Sequence, residues 1–299
     1  MNKIFYILKP LIPRSLQIFL RRILVNYQKK KYSDVWPVLQ SAASKPKGWR
    51  GWPNGKRFAF IITHDVELQK GHNRCKELMQ IEKSLGFKSS YNFVPERYEV
   101  SNELRNYLSE NGFEVGVHGL NHDGKLFRSK EIFTNRAKTI NGYLKDWNAV
   151  GFRAPAMHHN LQWISMLDID YDLSTFDTDP FEPQSDGVGT IFPFIVNDEK
   201  SNRKYVELPY TIVQDFTLFI TMREKDIEIW EKKIDWIVKN EGMVLVNIHP
   251  DYVNFENKNL MEEFPVQYVQ DLLNYVKIKY EDQYWNPLPK EAAQYILEK

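Results

Sequence analysis

Seven short apolar runs, interleaved with stretches of helical periodicity, constrain this chain more than any other feature. The runs are Phe58 to Thr63, Ser89 to Val94, Phe113 to Val117, Ala149 to Phe152, Tyr171 to Thr175, Lys204 to Pro209 and Met243 to Ile248. Helical patterns fall near residues 72–85, 101–110, 129–147, 160–168 and 224–240, with others near 262–280 and 290–298. Strands alternating with helices in this way predict an α/β fold with a parallel sheet or barrel. Seven strands with intervening helices favour an incomplete or distorted barrel over an open sheet, although the pattern alone does not separate them.

At 299 residues, with 42% hydrophobic and 14% aromatic content, the chain is long enough for one large domain. The expected division is a basic amphipathic segment and linker over residues 1–55, then a barrel domain over 56–299. The one cysteine, Cys75, falls in a helical stretch with no partner for a disulfide or thiolate cluster, so a reducing compartment is compatible. No GxGxxG or GxxxxGK[ST] loop follows any strand, which argues against dinucleotide and nucleoside triphosphate binding. No G-x-S-x-G elbow and no internal repeat is present.

Charge is unevenly distributed. Residues 1–50 hold 11 Lys or Arg and a single acid, Asp34, whereas the rest of the chain is mildly acidic. That balance argues against a nucleic-acid footprint on the main domain. Within residues 1–31 the apolar runs are broken by Lys9, Pro10, Pro13, Arg14, Arg21 and Arg22, so none reaches the ~18 residues needed to cross a bilayer. No cleavable secretion signal is evident either. After Pro13, Leu16, Phe19, Leu20, Ile23 and Leu24 recur at intervals of three and four and form one apolar helical face. That face fits a helix at an anionic membrane surface, or one packed on the main domain or on a partner subunit. The segment from Ser33 to Gly55 reads as a connector, ordered if Trp36, Trp49 and Trp52 find cover.

In parallel α/β architectures the reacting groups gather where strands end. Here Phe58 to Thr63 runs into His64, Asp65, Val66 and Glu67, and Phe113 to Val117 into His118. Ala149 to Phe152 runs into Arg153, and Met243 to Ile248 into His249. Four strands thus bring ionisable side chains to one rim.

His118 and His122 have an H-x3-H spacing, which on a helical turn places both imidazoles on one side, within reach of one ion. Imidazole suits zinc, and a catalytic zinc typically takes three protein ligands. Two histidines four apart also recur by chance, so a third ligand matters. In an extended segment Asp65 and Glu67 share a face, while His64 and Val66 take the other. The competing reading makes Asp65 a helix cap and Glu67 a solvated side chain.

These residues resemble the motifs of the polysaccharide deacetylase family, also called the NodB-homology group or carbohydrate esterase family 4. Thr63-His64-Asp65-Val66-Glu67 resembles its first motif, His118-x3-His122 the second, Arg153-Ala154-Pro155 the third, and Val246-Asn247-Ile248-His249-Pro250 the last. The resemblance covers roughly residues 57–255. It implies a distorted (β/α)7 barrel and metal-dependent removal of an acyl group, usually N-acetyl, from a sugar. It also implies Asp65 as catalytic base, His118 and His122 as metal ligands, Arg153 as the residue orienting the base, and His249 as general acid. The usual first motif has adjacent aspartates, the second a metal ligand. Val66 stands at that place here, so Glu67 becomes the third-ligand candidate, and Zn2+ the expected ion.

The leading expectation is therefore a hydrolase acting on an N-acetylated carbohydrate or glycan precursor in cell-surface polysaccharide biosynthesis. The same site could serve a non-sugar cyclic amide, or the barrel could be a non-catalytic glycan- or partner-binding module. Trp163, Phe176, Phe181 and Phe192 are candidates for sugar stacking, His158 and His159 for neighbours of the cleft, and the Phe176 to Phe181 loop for its lining. The basic start and the missing signal suggest a cytoplasmic protein, peripheral at the inner face of the membrane.

Overall fold

The computed structural model describes residues 13–199, 202–256 and 260–298, so the readings that fall on residues 1–12 lie outside it. In chain order the elements are α1 (Arg14–Lys31), β1 (Phe58–Val66), α2 (Gln69–Leu85), β2 (Ser89–Phe93), α3 (Asn102–Glu110), β3 (Glu114–His118) and α4 (Lys130–Asp146). There follow β4 (Gly151–Arg153), α5 (Leu161–Ile164), β5 (Tyr171–Asp172), β6 (Phe194–Asp198), β7 (Arg203–Glu207), α6 (Glu228–Lys239) and β8 (Met243–Ile248). The chain closes with β9 (Val253–Asn254), β10 (Phe264–Pro265), α7 (Gln267–Lys279), β11 (Tyr284–Trp285) and α8 (Pro289–Leu297).

Strand β1 is the centre of the main sheet, paired in parallel with β8 on one side and with β2 on the other. From β2 the sheet continues in parallel through β3, β4, β5 and β7, and β6 adds an antiparallel edge. The seven parallel strands β1, β2, β3, β4, β5, β7 and β8 are those expected from the apolar runs. They curl into a barrel that is not closed by strand pairing between β7 and β8. The gap is spanned by irregular backbone: Thr211 and Ile212 N–H groups donate to the Leu245 carbonyl at 3.1 and 3.3 Å. This is the distorted α/β barrel that the strand count predicted.

Every residue of β1 is buried. Its period of two sorts the side chains: Phe58, Phe60, Ile62 and Val66 pack outward in the core formed with helices α2, α6 and α7. Ala59 and Ile61 join Leu173, Val206, Leu208 and Leu245 in the barrel interior, where Ala292, Ala293 and Ile296 of α8 enter from the end where the strands begin. Asp65 is in phase with Ala59 and Ile61. His64 is out of phase, and Glu82 of α2 meets its Nε2 at 2.7 Å.

Helix starts follow local chemistry. The Ser101 and Ser129 side chains accept from Leu104 and Ile132 N–H, capping α3 and α4. Helix α2 has no cap of its own. The Asp251 carboxylate takes that role across the chain, accepting from the N–H groups of Glu67, Leu68 and Gly71 at 2.8 to 3.0 Å. The expected helix at 160–168 shortens to α5, and the expected strand at Tyr171 to Thr175 pairs over only two residues. Strand β6 was not foreseen: only Val196 of its five residues is buried, so it lacks an apolar signal.

The connector at 33–55 is ordered as its tryptophans require. Trp36 packs edge-on against Phe181, and Trp49 lies between Trp52 and Phe192. Helix α1 lies on the barrel through buried Ile18 and Val25, with Arg22 Nε donating to the Ile220 carbonyl at 3.0 Å. No helix among the described residues is long and apolar enough to cross a membrane.

Candidate metal centre and its acid–base partners

Because β1, β3, β4 and β8 run parallel, their C-terminal ends deliver Asp65, His118, Arg153 and His249 to one rim. They line or support a cleft of about 590 Å³, bordered also by Glu67, His122, Glu182, Gln214, Phe216 and Tyr252.

Asp65 is almost wholly buried and held on both oxygens. Oδ1 accepts from Arg153 Nη1 at 3.1 Å and Asn92 Nδ2 at 3.2 Å, and Oδ2 accepts from Asn247 Nδ2 at 2.9 Å. Burial pushes this carboxyl up, but the Arg153 guanidinium outweighs it, with help from His249, and holds the group well below the usual carboxylate range. Arg153 is itself buried and placed by the Leu173 carbonyl, Thr63 Oγ1 and Asn247 Oδ1. Gly116 on β3 makes room for Asn92, since a side chain there would strike the Asn92 amide oxygen.

His249 is anchored through Asp215. The Asp215 carboxylate accepts from the His249 backbone N–H and faces ring Nδ1, both at 2.7 Å, and Nε2 lies 4.0 Å from Asp65 Oδ2. Burial lowers the imidazole, but Asp215 more than reverses this, and the group is pushed up to about 10. His249 is thus a protonated imidazolium at neutral pH, and Asp65 an ionised carboxylate.

Glu67, His118 and His122 form a second group in the same cleft, with His118 Nδ1 3.8 Å from Asp65 Oδ1, and one ligand atom from each lies within 4.8 Å of the others. His118 Nδ1 meets the Arg153 carbonyl at 3.1 Å, which fixes that nitrogen as donor and leaves Nε2 as acceptor. Burial brings the His118 pKa down to about 4 despite the pull of Asp65, so the ring is neutral, as a ligand must be. His118 Nε2 and His122 Nε2 are both buried without a hydrogen-bond partner among the described residues. His122 Nε2 is 2.9 Å from Glu67 Oε1 in an ion-pair contact. Burial pushes Glu67 up, but His122 outweighs it and keeps the carboxyl well below its ordinary value. An orphaned His118 Nε2 beside a Glu67–His122 contact is a donor set that fits a divalent first-row ion such as zinc.

The H-x3-H pair does not sit on a helical turn. His118 ends β3, Gly119 takes φ 63° against Pro155, and His122 itself has φ 54°. The left-handed residues curl the loop back, which brings the two rings to 5.2 Å between centroids.

Other expectations are corrected. Phe176, Phe181 and Phe192 are core residues, and Trp163 stacks on Phe127 at 6.3 Å, so none is a sugar platform. The aromatics of the cleft are Phe216 and Tyr252, 5.0 Å apart. His158 and His159 stay outside it, with His159 bonded to the Met157 carbonyl. The Phe176 to Phe181 loop supports the cleft from behind: Asp177 pairs with Lys233, and Asp179 accepts from Tyr210 at 2.8 Å. The wall itself takes Glu182, whose carboxyl burial and Asp179 raise to about 8. Asp215, Asn92, Gln214 and Glu182 carry no signal in sequence, whereas Asn247, two residues before His249 on β8, could have been found by strand alternation.

The sequence matches no family model, and no curated protein matches it. Solved structures do. A protein of Mycobacterium smegmatis assigned as a polysaccharide deacetylase superposes with a TM-score of 0.63 at 15% identity, covering 85% of this chain and 95% of that one. One from Pseudomonas aeruginosa with the same assignment gives 0.61 at 11% identity, over 83% and 93% of the two chains. The Puue allantoinase gives 0.59 at 13% identity, over 84% and 93%. Over more than four-fifths of its length, this chain has the fold of the polysaccharide deacetylases.

Proposed function

We propose that this protein is a metal-dependent hydrolase that removes an acyl group, N-acetyl above all, from a carbohydrate or glycan precursor. The observation that carries the reading is the convergence of Glu67, His118 and His122 beside Asp65, bonded to Arg153, and His249, bonded to Asp215. Glu67, His118 and His122 would hold the ion, which when bound supplies a Lewis acid that polarises the acyl carbonyl and acidifies water.

The chain's own groups divide the proton work. Asp65, kept ionised by Arg153, accepts a proton from the attacking water. Its hydrogen bonds to Asn92, Asn247 and Arg153 restrict it to one orientation, so little is lost in ordering it. His249 presents Nε2 to the cleft because Asp215 occupies Nδ1, and it donates a proton to the departing amine. Tyr252, which donates to Glu67 at 3.3 Å, and Phe216 offer apolar faces to a sugar ring.

The likeness to an allantoinase supports a second reading, hydrolysis of a small cyclic amide by the same groups. Acetate release from N-acetylated oligosaccharides, measured beside ring opening of cyclic amides with zinc content in parallel, separates the two. Acetate release by the zinc-loaded protein is expected. A protein with no zinc affinity and neither activity would overturn both readings and leave a binding barrel.

A further inference from the structure

An ordinary surface helix turns its apolar stripe toward the core and its polar face to water. Helix α1 departs from this: it buries Ile18 and Val25 against the barrel but leaves six other apolar side chains exposed. Its inward edge is fastened by polar groups: Arg22 to the Ile220 carbonyl, Gln28 to the Pro180 carbonyl at 2.8 Å, and Lys29 to Glu224 at 2.6 Å. Its outward face carries Leu16, Phe19, Leu20, Ile23, Leu24 and Tyr27, with Phe19, Ile23 and Tyr27 each more than half exposed.

The position of this face matters more than its size. Arg21 of α1 lies over the Phe216 ring at 5.0 Å and lines the cleft, so the helix forms part of the cleft rim. Three further exposed apolar residues line the cleft or stand next to a lining residue in sequence. Leu68 lines the cleft, and Leu260 and Met261 precede Glu262, which also lines it. The 260–263 segment is tied beside the start of α2, where Arg74 meets Glu263 at 3.0 Å and Lys70 pairs with the same carboxylate. Among the described residues, the only other large exposed apolar side chains are Ile195 and Ile278. Most large exposed apolar side chains among the described residues therefore lie on α1, which borders the cleft through Arg21, or at Leu68 and beside Glu262, which line it.

Charge selects the occupant. Residues 1–33 hold eight Lys or Arg and no acid, and Lys30 and Lys31 are exposed at the end of α1. An apolar helical face with basic residues on its flank matches an anionic bilayer, where the apolar side chains enter the acyl boundary and the cations meet headgroups. A second copy of this chain would bring the same cations against each other.

We propose that the outward face of α1, with Leu68, Leu260 and Met261, docks the mouth of the cleft onto an anionic bilayer, so that the acylated sugar it hydrolyses is one carried at the bilayer surface by a lipid. The substrate class rests on the hydrolase reading above; the docking does not. Arg21 and Arg97, both on the cleft wall, stand where a carrier phosphate would enter.

The test is co-sedimentation of the full chain with phosphatidylglycerol–phosphatidylcholine vesicles and with phosphatidylcholine vesicles, read without turnover. A Phe19→Glu/Ile23→Glu double variant, checked by circular dichroism, is run alongside. At least tenfold stronger binding to the anionic vesicles, and a tenfold or greater loss in the variant, is expected. Both side chains point to solvent, so the variant should keep its fold and its hydrolysis of a soluble N-acetylated oligosaccharide. It should lose hydrolysis of the same sugar on a lipid phosphate in those vesicles. Wild-type protein that stays in the supernatant, or a variant that sediments undiminished, would overturn the docking. So would a wild-type dimer in light scattering that the variant abolishes without any lipid binding. Vesicle binding without hydrolysis of either substrate would sink the hydrolase reading and the substrate class, leaving the docking standing.

Discussion

The two walls of the cleft are held in different ways. On one wall Asp65 and His249 are fastened to Arg153, Asn92, Asn247 and Asp215 through bonds that exist without any ligand. On the other, Glu67 is partly exposed, His122 has a left-handed backbone and meets only Glu67 through Nε2, and His118 Nε2 has no hydrogen-bond partner among the described residues. The proposed proton-handling wall is built largely by strand ends and their buried network. The proposed ligand wall is built by a strand end and a loop, and the free His118 Nε2 there is open to a ligand from outside the chain.

His118→Ala breaks this contrast most severely. It removes a proposed ligand nitrogen and is expected to abolish zinc binding and to lower turnover by ~10⁴-fold or more, since both water activation and oxyanion stabilisation would be lost. Metal content by plasma mass spectrometry checks the first point. A variant that retained stoichiometric zinc at this site would show that the ion is held elsewhere.

Asp65→Asn should separate the walls. Zinc content is expected to stay at the wild-type level while turnover falls on the order of 10²- to 10⁴-fold. Loss of the zinc along with the activity would make Asp65 a ligand and merge the two walls.

Asp215→Asn tests how the imidazolium is maintained. His249 is pushed up to about 10, with Asp215 opposing burial, so its acid form persists until pH rises through that value. Removing the carboxylate charge lowers the imidazole pKa. The alkaline limb of the kcat profile should therefore move to lower pH, with a fall of ~10²-fold at neutral pH. An unmoved limb would detach His249 from the acid role.

Glu67→Asp is the mildest change. It shortens the reach by one methylene and should weaken zinc affinity ~10-fold without altering the acid–base limbs. Unchanged affinity in a zinc titration would remove Glu67 from the ligand set and leave the third position to water or substrate.

The barrel strands were legible because buried parallel strands read as continuous apolar runs, and β8 matches its expected limits at Met243 and Ile248. Strand β6 and the two-residue β11 were not, because an edge strand needs little apolar surface and β11 is defined only by its partner β1. The same contrast runs through the site. Asp65, His118, Arg153 and His249 stand out as ionisable residues following apolar runs. Asp215 lies before a π-helical turn at Phe216–Thr221, and Glu182 lies in an irregular loop, with no local pattern around either.

By itself the sequence determined the strand count, the parallel alternation and the four strand ends that meet at one rim, since apolar periodicity and chain direction are local properties. Only the tertiary structure decided that Glu67 turns toward His118 and His122, that Asp215 holds His249, and that the apolar face of α1 looks outward beside the cleft. Those outcomes depend on groups distant in sequence occupying the same space, and no local pattern encodes which of them will meet.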